Sequence, residues 1–109
     1  MSSKNEKYLD SLRKVFSEGV DKITGQILWG ILVNSNVYTP DGEEVGASFR
    51  GTGKIISELV GEGDYLDYYM SSGFTKEMLK TIGFNADAFE NDLRQKLLDA
   101  GWKIEKIEV

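Results

Sequence analysis

The sequence contains no histidine and no cysteine, and both absences restrict its chemistry. Histidine is the only side chain whose unperturbed pKa allows it to change charge between about pH 5 and pH 8. Cysteine supplies reactive thiolates and soft metal ligands. Catalytic triads and dyads built on these residues, thiolate zinc sites and disulfide scaffolds are therefore excluded. The sequence favours a protein that is not an enzyme, with no cofactor and no metal.

Proline occurs once, and long apolar runs are missing. The longest apolar segment, residues 27–33, is far shorter than the ~20 residues that a membrane-spanning helix needs. The first residues are polar and charged, without the apolar stretch of a secretory signal. The 109 residues therefore predict one globular domain, 1–109, that is cytoplasmic and has no membrane partner.

Basic side chains are scarce in the second half of the chain. The net charge is −5, and residues 1–57 carry seven basic and seven acidic side chains. Residues 58–109 carry six basic and eleven acidic side chains, so the whole acidic excess lies there. Such a surface repels a phosphate backbone. Nucleic acid is therefore not an expected partner, whereas a basic protein surface is.

Apolar periodicity and turn residues predict a small α+β domain. Four helices are expected, around residues 9–20, 52–60, 75–82 and 85–100, with a further helical turn around 65–70. Met78, Leu79 and Ile82 share the apolar face of the third helix, and Asn85 is the expected cap of the fourth. Periodicity alone fits residues 26–36 to either a buried strand or a buried helix. The Pro40-Asp41-Gly42 turn signal favours a hairpin over about 28–39 and 43–49. With a C-terminal strand at 102–109, the prediction is an antiparallel sheet of about three strands packed with four to five helices.

The segment 61–74 concentrates tyrosine and acidic residues between glycines. Three of the five tyrosines and two aspartates fall within residues 64–69. Tyrosine is enriched at protein interfaces, and carboxylates steer a basic partner toward its site. The residues expected to contact or steer a partner protein are Glu62, Asp64, Tyr65, Asp67, Tyr68 and Tyr69. We call residues 62–69 the tyrosine segment.

The plainer interpretation of the tyrosine segment is that some of its rings pack into the core while its aspartates face water. The binding interpretation predicts a non-catalytic protein of inhibitor, immunity or adaptor type that engages a basic surface of its partner. We carry the binding interpretation forward as the principal functional hypothesis, because it also accounts for the one-sided charge.

A second hypothesis places a small anionic ligand at residues 50–54. Two glycines there precede an apolar helical stripe, and Arg50, Thr52 and Lys54 offer positive charge and a hydroxyl. The specific phosphate motifs fail, because Ile55 stands where a P-loop needs serine or threonine and Ile56 stands where a dinucleotide loop needs glycine. The plainer interpretation is a glycine-containing turn between a strand and a helix.

A third hypothesis is self-association. Trp29 lies within the apolar segment 27–33, and a strand of this composition at the edge of a sheet pairs readily with a second copy. This hypothesis predicts a homodimer joined edge to edge.

Overall fold

The computed structural model describes residues 4–45, 49–61 and 76–107. The helices are α1 (Lys4–Val15), α2 (Lys22–Val33), α3 (Phe49–Val60), α4 (helical over residues 76–81) and α5 (Ala86–Asp99), and the strands are β1 (Ser35–Tyr38), β2 (Glu44–Val45) and β3 (Lys103–Lys106). The strands form an antiparallel sheet in the order β2-β1-β3. The predicted α+β class, with a hairpin and a C-terminal strand in one sheet, is confirmed.

The hairpin between β1 and β2 closes at the predicted turn. The backbone N–H of Gly42 donates to the carbonyl of Thr39 at 2.8 Å, and the N–H of Thr39 donates to the carbonyl of Glu43 at 3.0 Å. Gly42 has a φ of +84°, in the left-handed region that glycine adopts without steric cost. Proline presets the φ that the first central position of such a turn requires. The turn therefore follows directly from the local sequence.

The prediction of a strand over residues 28–39 is wrong for its first half. Those residues continue a helix that begins after Asp21, whose carboxylate accepts a hydrogen bond from the N–H of Thr24 at 2.7 Å. The side-chain amide of Asn34 donates to the carbonyl of Gly30 at 2.9 Å where the helix ends. Only Ser35–Tyr38 forms the strand. A helix that is apolar on all faces belongs in a protein interior, and this explains why its periodicity was ambiguous.

Two other boundaries differ from the sequence prediction. The first helix ends at Val15 rather than near residue 20, and the chain turns at Gly19 before α2 begins. The second strand of the hairpin comprises Glu44–Val45 instead of residues 43–49. Residues 46–48 lie outside the described part of the chain, and Phe49 already belongs to α3.

The core surrounds α2. This helix packs against α3, α5 and β1, while α1 packs against α3. Tyr8 of α1 and Trp102, just before β3, are both buried, and their ring centroids lie 5.9 Å apart. The core side chains that are fully buried and apolar include Leu12, Ile27, Leu28, Ile31, Ile56 and Leu97. Within residues 4–45, 49–61 and 76–107, no helix combines the length and apolar character that a membrane span requires.

The predicted cap of α5 is confirmed and provides a first test of the fold. The side-chain oxygen of Asn85 accepts a hydrogen bond from the N–H of Ala88 at 3.0 Å. We expect Asn85→Ala to lower the free energy of unfolding by about 1 kcal/mol, because an orphan backbone donor loses its partner. Urea denaturation measures this. Asn91→Ala, an exposed change within the same helix, is the control and should cost nothing, since alanine has the higher helix propensity. Equal losses for both variants would contradict the capping role.

Candidate functional site

The tyrosine segment lies outside the described residues, so the structure neither supports nor opposes its six candidate positions, Glu62, Asp64, Tyr65, Asp67, Tyr68 and Tyr69. Its neighbours in the chain are defined. The helix α3 ends at Val60, where the N–H of Gly61 donates to the carbonyl of Ser57 at 2.9 Å. The next residue that the structure describes is Lys76, in α4. A partner that contacts the tyrosine segment therefore also has α3 and α4 close by along the chain.

The residues of the anion hypothesis lie within a helix rather than in a turn. Because α3 begins at Phe49, residues 51–54 belong to its first two turns. The side chains of Arg50 and Lys54 are exposed, whereas Thr52 is buried. The prediction of a strand-to-helix turn at these residues is therefore wrong, and the loop that was to cradle the anion is not formed by them.

The surface proposed for edge-to-edge dimerisation is also placed differently. Residues 27–33 form most of the last two turns of α2, and Trp29 is buried within the chain. The side chains that were expected to meet a second copy instead contact the other helices. Pairing through this segment would require the core to open.

The corner between α4 and α5 exposes three apolar side chains. The sequence predicts two of them, Met78 and Ile82, on a helix face and gives none of the three a functional role. Met78 is 55% exposed, Ile82 is 77% exposed and Phe84 is 42% exposed. Only Leu79 of the same apolar face is buried. We call Met78, Ile82 and Phe84 the corner patch. A short helix that buries one apolar residue and leaves its neighbours in water is unusual in a core role, since large exposed apolar clusters mark interaction surfaces.

The local sequence fixes the geometry of the corner patch. Gly83 has a φ of +81° and ends α4. The N–H of Phe84 donates back to the carbonyl of Leu79 at 2.9 Å, which tightens the end of the helix. Asn85 then caps α5. Ile82 stays exposed at this short connection, and the ring of Phe84 packs edge-on against Phe89, with the ring centroids 5.7 Å apart.

An ion pair between Lys76 and Glu90 attaches α4 to α5 beside the corner patch, and a second pair lies within α5. The carboxylate of Glu90 contacts the ammonium of Lys76 and lies 3.6 Å from the guanidinium of Arg94. All three side chains are partly buried, so the pairs are screened less than fully exposed ones. Glu77, Lys80 and Asp87 are exposed around a shallow cleft of about 370 Å³ next to Phe84. The corner thus has an apolar centre and a charged margin, which is the usual arrangement of a protein interface.

The sequence contains a pattern that indicates the corner patch. The α4 pattern places three apolar residues, Met78, Leu79 and Ile82, on a helix that Gly83 ends early. The following helix, α5, already supplies Leu93 and Leu97 to the core. Surplus apolar residues on such a helix indicate a surface rather than a core element.

Within the part of the chain that the structure describes, no group of three or more carboxylates is placed to hold a metal ion.

The exposed Asp41 carboxylate has a pKa below its usual value, chiefly because the hydroxyl of Thr39 donates a hydrogen bond to it. This hydrogen bond stabilises the hairpin turn.

The chain matches no protein-family model, no curated protein and no solved structure.

Proposed function

We propose that this chain is a non-catalytic acidic binding protein, of inhibitor, immunity or adaptor type, that engages a basic surface of a partner protein. The observation that carries the proposal is the corner patch. Met78, Ile82 and Phe84 lie within seven consecutive residues. Met78 and Ile82 are more than half exposed, and Phe84 is 42% exposed. Burying such side chains against a partner releases water from apolar surface and stabilises the complex.

The distribution of charge supports a basic partner. The whole acidic excess of the chain lies in residues 58–109, which include the tyrosine segment and both helices of the corner. Exposed carboxylates raise the rate of encounter with a positive surface, and this effect weakens as salt increases. The acidic excess of residues 58–109 and the corner patch then act in sequence, the charges during approach and the corner patch in the bound complex.

The tyrosine segment is the second part of the proposed surface. Six residues, 70–75, separate it from the described start of α4, so one partner can contact both. Tyr65, Asp67 and Tyr68 remain the residues on which we expect the strongest effects in this segment. The two parts are tested separately, because either alone is sufficient for a binding function.

We expect a tagged form of the chain to capture a specific partner from host lysate at about 50 mM salt, and much less of it at about 500 mM. Met78→Glu/Ile82→Glu should reduce capture at least about tenfold, because it places charge at the apolar centre. Both positions are exposed, so the variant should retain the wild-type melting temperature. Quantitative mass spectrometry of the eluates measures the loss.

Leu98→Glu is the matched control. Leu98 is exposed to a similar degree, but it lies at the other end of α5, roughly 18 Å along the helix axis from Ala86. It should capture the partner as the wild type does. A combined Tyr65→Ala, Asp67→Lys, Tyr68→Ala variant tests the tyrosine segment in the same way. Capture that neither set of substitutions reduces, or that salt does not change, argues against the proposal.

A further inference from the structure

A second feature of the fold, away from the corner patch, is a cavity between α1, α3 and the hairpin. Its volume is about 230 Å³. Its apolar wall includes Val33, Val37 and Val45. Tyr8, Ser35 and Thr52 contribute hydroxyl-bearing side chains to the lining. These groups come from α1, α2, α3 and the β1–β2 hairpin, so no local motif indicates the cavity.

The hydroxyl of Ser35 lacks a hydrogen-bond partner. Ser35 is 8% exposed and lies on the inward face of β1, the face that also carries the buried Val37. Within residues 4–45, 49–61 and 76–107, its Oγ is one of two buried side-chain polar atoms without a partner. Buried polar groups are almost always hydrogen-bonded, and an exception needs an explanation. A ligand in the adjoining cavity that bonds to this hydroxyl supplies one.

The charges around the cavity indicate what kind of ligand fits. Burial raises the pKa of Tyr8, because the phenolate form is poorly solvated there. The phenol therefore stays neutral at physiological pH. Among the lining residues that belong to the described part of the chain, Glu44 is the one that carries a charge at neutral pH, and it is exposed. An anionic ligand would lose its hydration without gaining a cation and would meet this carboxylate.

The size of the cavity sets the size of the ligand. An apolar cavity of about 150 Å³ holds benzene, so 230 Å³ accommodates roughly nine or ten non-hydrogen atoms by proportion. We propose that this cavity is a binding site for a small neutral molecule with an apolar body and one hydrogen-bonding group directed at Ser35. The site goes beyond the proposed partner binding and does not depend on it.

Benzamide and benzoate test this inference, because they have nearly the same shape and differ in charge. Titration of the isotopically labelled chain with benzamide should give saturable shifts of the backbone amide signals of Ser35, Val37 and Val45 in two-dimensional NMR spectra. Benzoate should bind at least about tenfold more weakly, owing to the cost of desolvating its charge. Saturable shifts that cluster elsewhere, no saturable shift with benzamide, or equal affinity for both compounds would overturn the proposal.

Two variants connect the binding to the cavity. Val33→Phe adds volume at the wall and should abolish the benzamide shifts, whereas Val20→Phe, a half-buried valine that does not line the cavity, should retain them. Ser35→Ala removes an unpartnered hydroxyl and should fold as well as the wild type. Its affinity for benzamide should fall at least about threefold, and an unchanged affinity would contradict the assigned role of Ser35.

Discussion

Leu28→Ala is expected to lower the free energy of unfolding by about 2–5 kcal/mol, the range measured when a fully buried leucine is truncated. Leu28 is 0% exposed and lies in α2, the helix around which the core is built. Truncation removes apolar contacts with the surrounding elements and leaves a cavity that rigid neighbours fill only in part. Since a domain of this size loses roughly 4–8 °C of melting temperature per kcal/mol, thermal unfolding should shift by about 10–30 °C.

Ile23→Ala is the matched control for this prediction. Ile23 belongs to the same helix and has a similar volume, but it is 48% exposed. Its truncation should cost about 1 kcal/mol or less, because about half of its surface already contacts water. Urea denaturation of both variants gives the comparison. Similar losses for the two positions would contradict the orientation of α2. A large loss at Ile23 alone would indicate that the opposite face of the helix is buried.

Above about pH 10 the free energy of unfolding is expected to fall by up to about 1.4 kcal/mol per pH unit, and Tyr8 is the cause. Burial raises the pKa of Tyr8 above the ordinary tyrosine value of 10.0. The folded chain therefore holds the phenolic proton more tightly than the unfolded chain does. The resulting stabilisation is fully present below pH 10 and is lost as the pH rises from 10 toward the folded-state pKa.

Tyr8→Phe isolates this effect. Phenylalanine keeps the ring that packs against Trp102 and removes the ionisable group, so the decline above pH 10 should become shallower. Ile27→Val is the control, because Ile27 is buried and the change involves no ionisable group, so it should leave the wild-type slope. Denaturation midpoints at several alkaline pH values measure both. Identical slopes for the wild type and Tyr8→Phe would contradict the buried phenol.

Local signals in the sequence predicted much of the fold. The Pro40-Asp41-Gly42 turn, the Asn85 cap and the C-terminal strand all depend on residues close together in the chain, and all three are confirmed. The error in α2 had a different origin. Both faces of residues 27–33 are buried, so neither a two-residue nor a 3.6-residue period stands out. Asp21 was the missed local signal, since a capping aspartate before an apolar run indicates a helix start.

The error at the start of α3 shows tertiary packing overriding local propensity. Gly51 and Gly53 disfavour a helix and therefore suggested a turn. The helix nevertheless includes them, because the face formed by Thr52, Ile55 and Ile56 is buried. Burial of such a face contributes more than two glycines cost.

The candidate sites differ in how far sequence can reach them. The acidic excess is a count, and the sequence establishes it. The exposure of the corner patch depends on how α4 sits against α5, which the Lys76–Glu90 pair and the tight connection determine. The cavity at Ser35 depends on four elements meeting. Neither arrangement has a local pattern that sequence analysis can detect.

The most direct test of the proposed binding function is oxidative footprinting of the chain, free and in complex with the captured partner. Met78 is exposed, and its thioether oxidises readily when water reaches it. We predict that its oxidation slows several-fold in the complex at about 50 mM salt and recovers at about 500 mM salt, where steering charges are screened. Oxidation of Met78 at the same rate in the complex as in the free chain would contradict a binding surface at the α4–α5 corner.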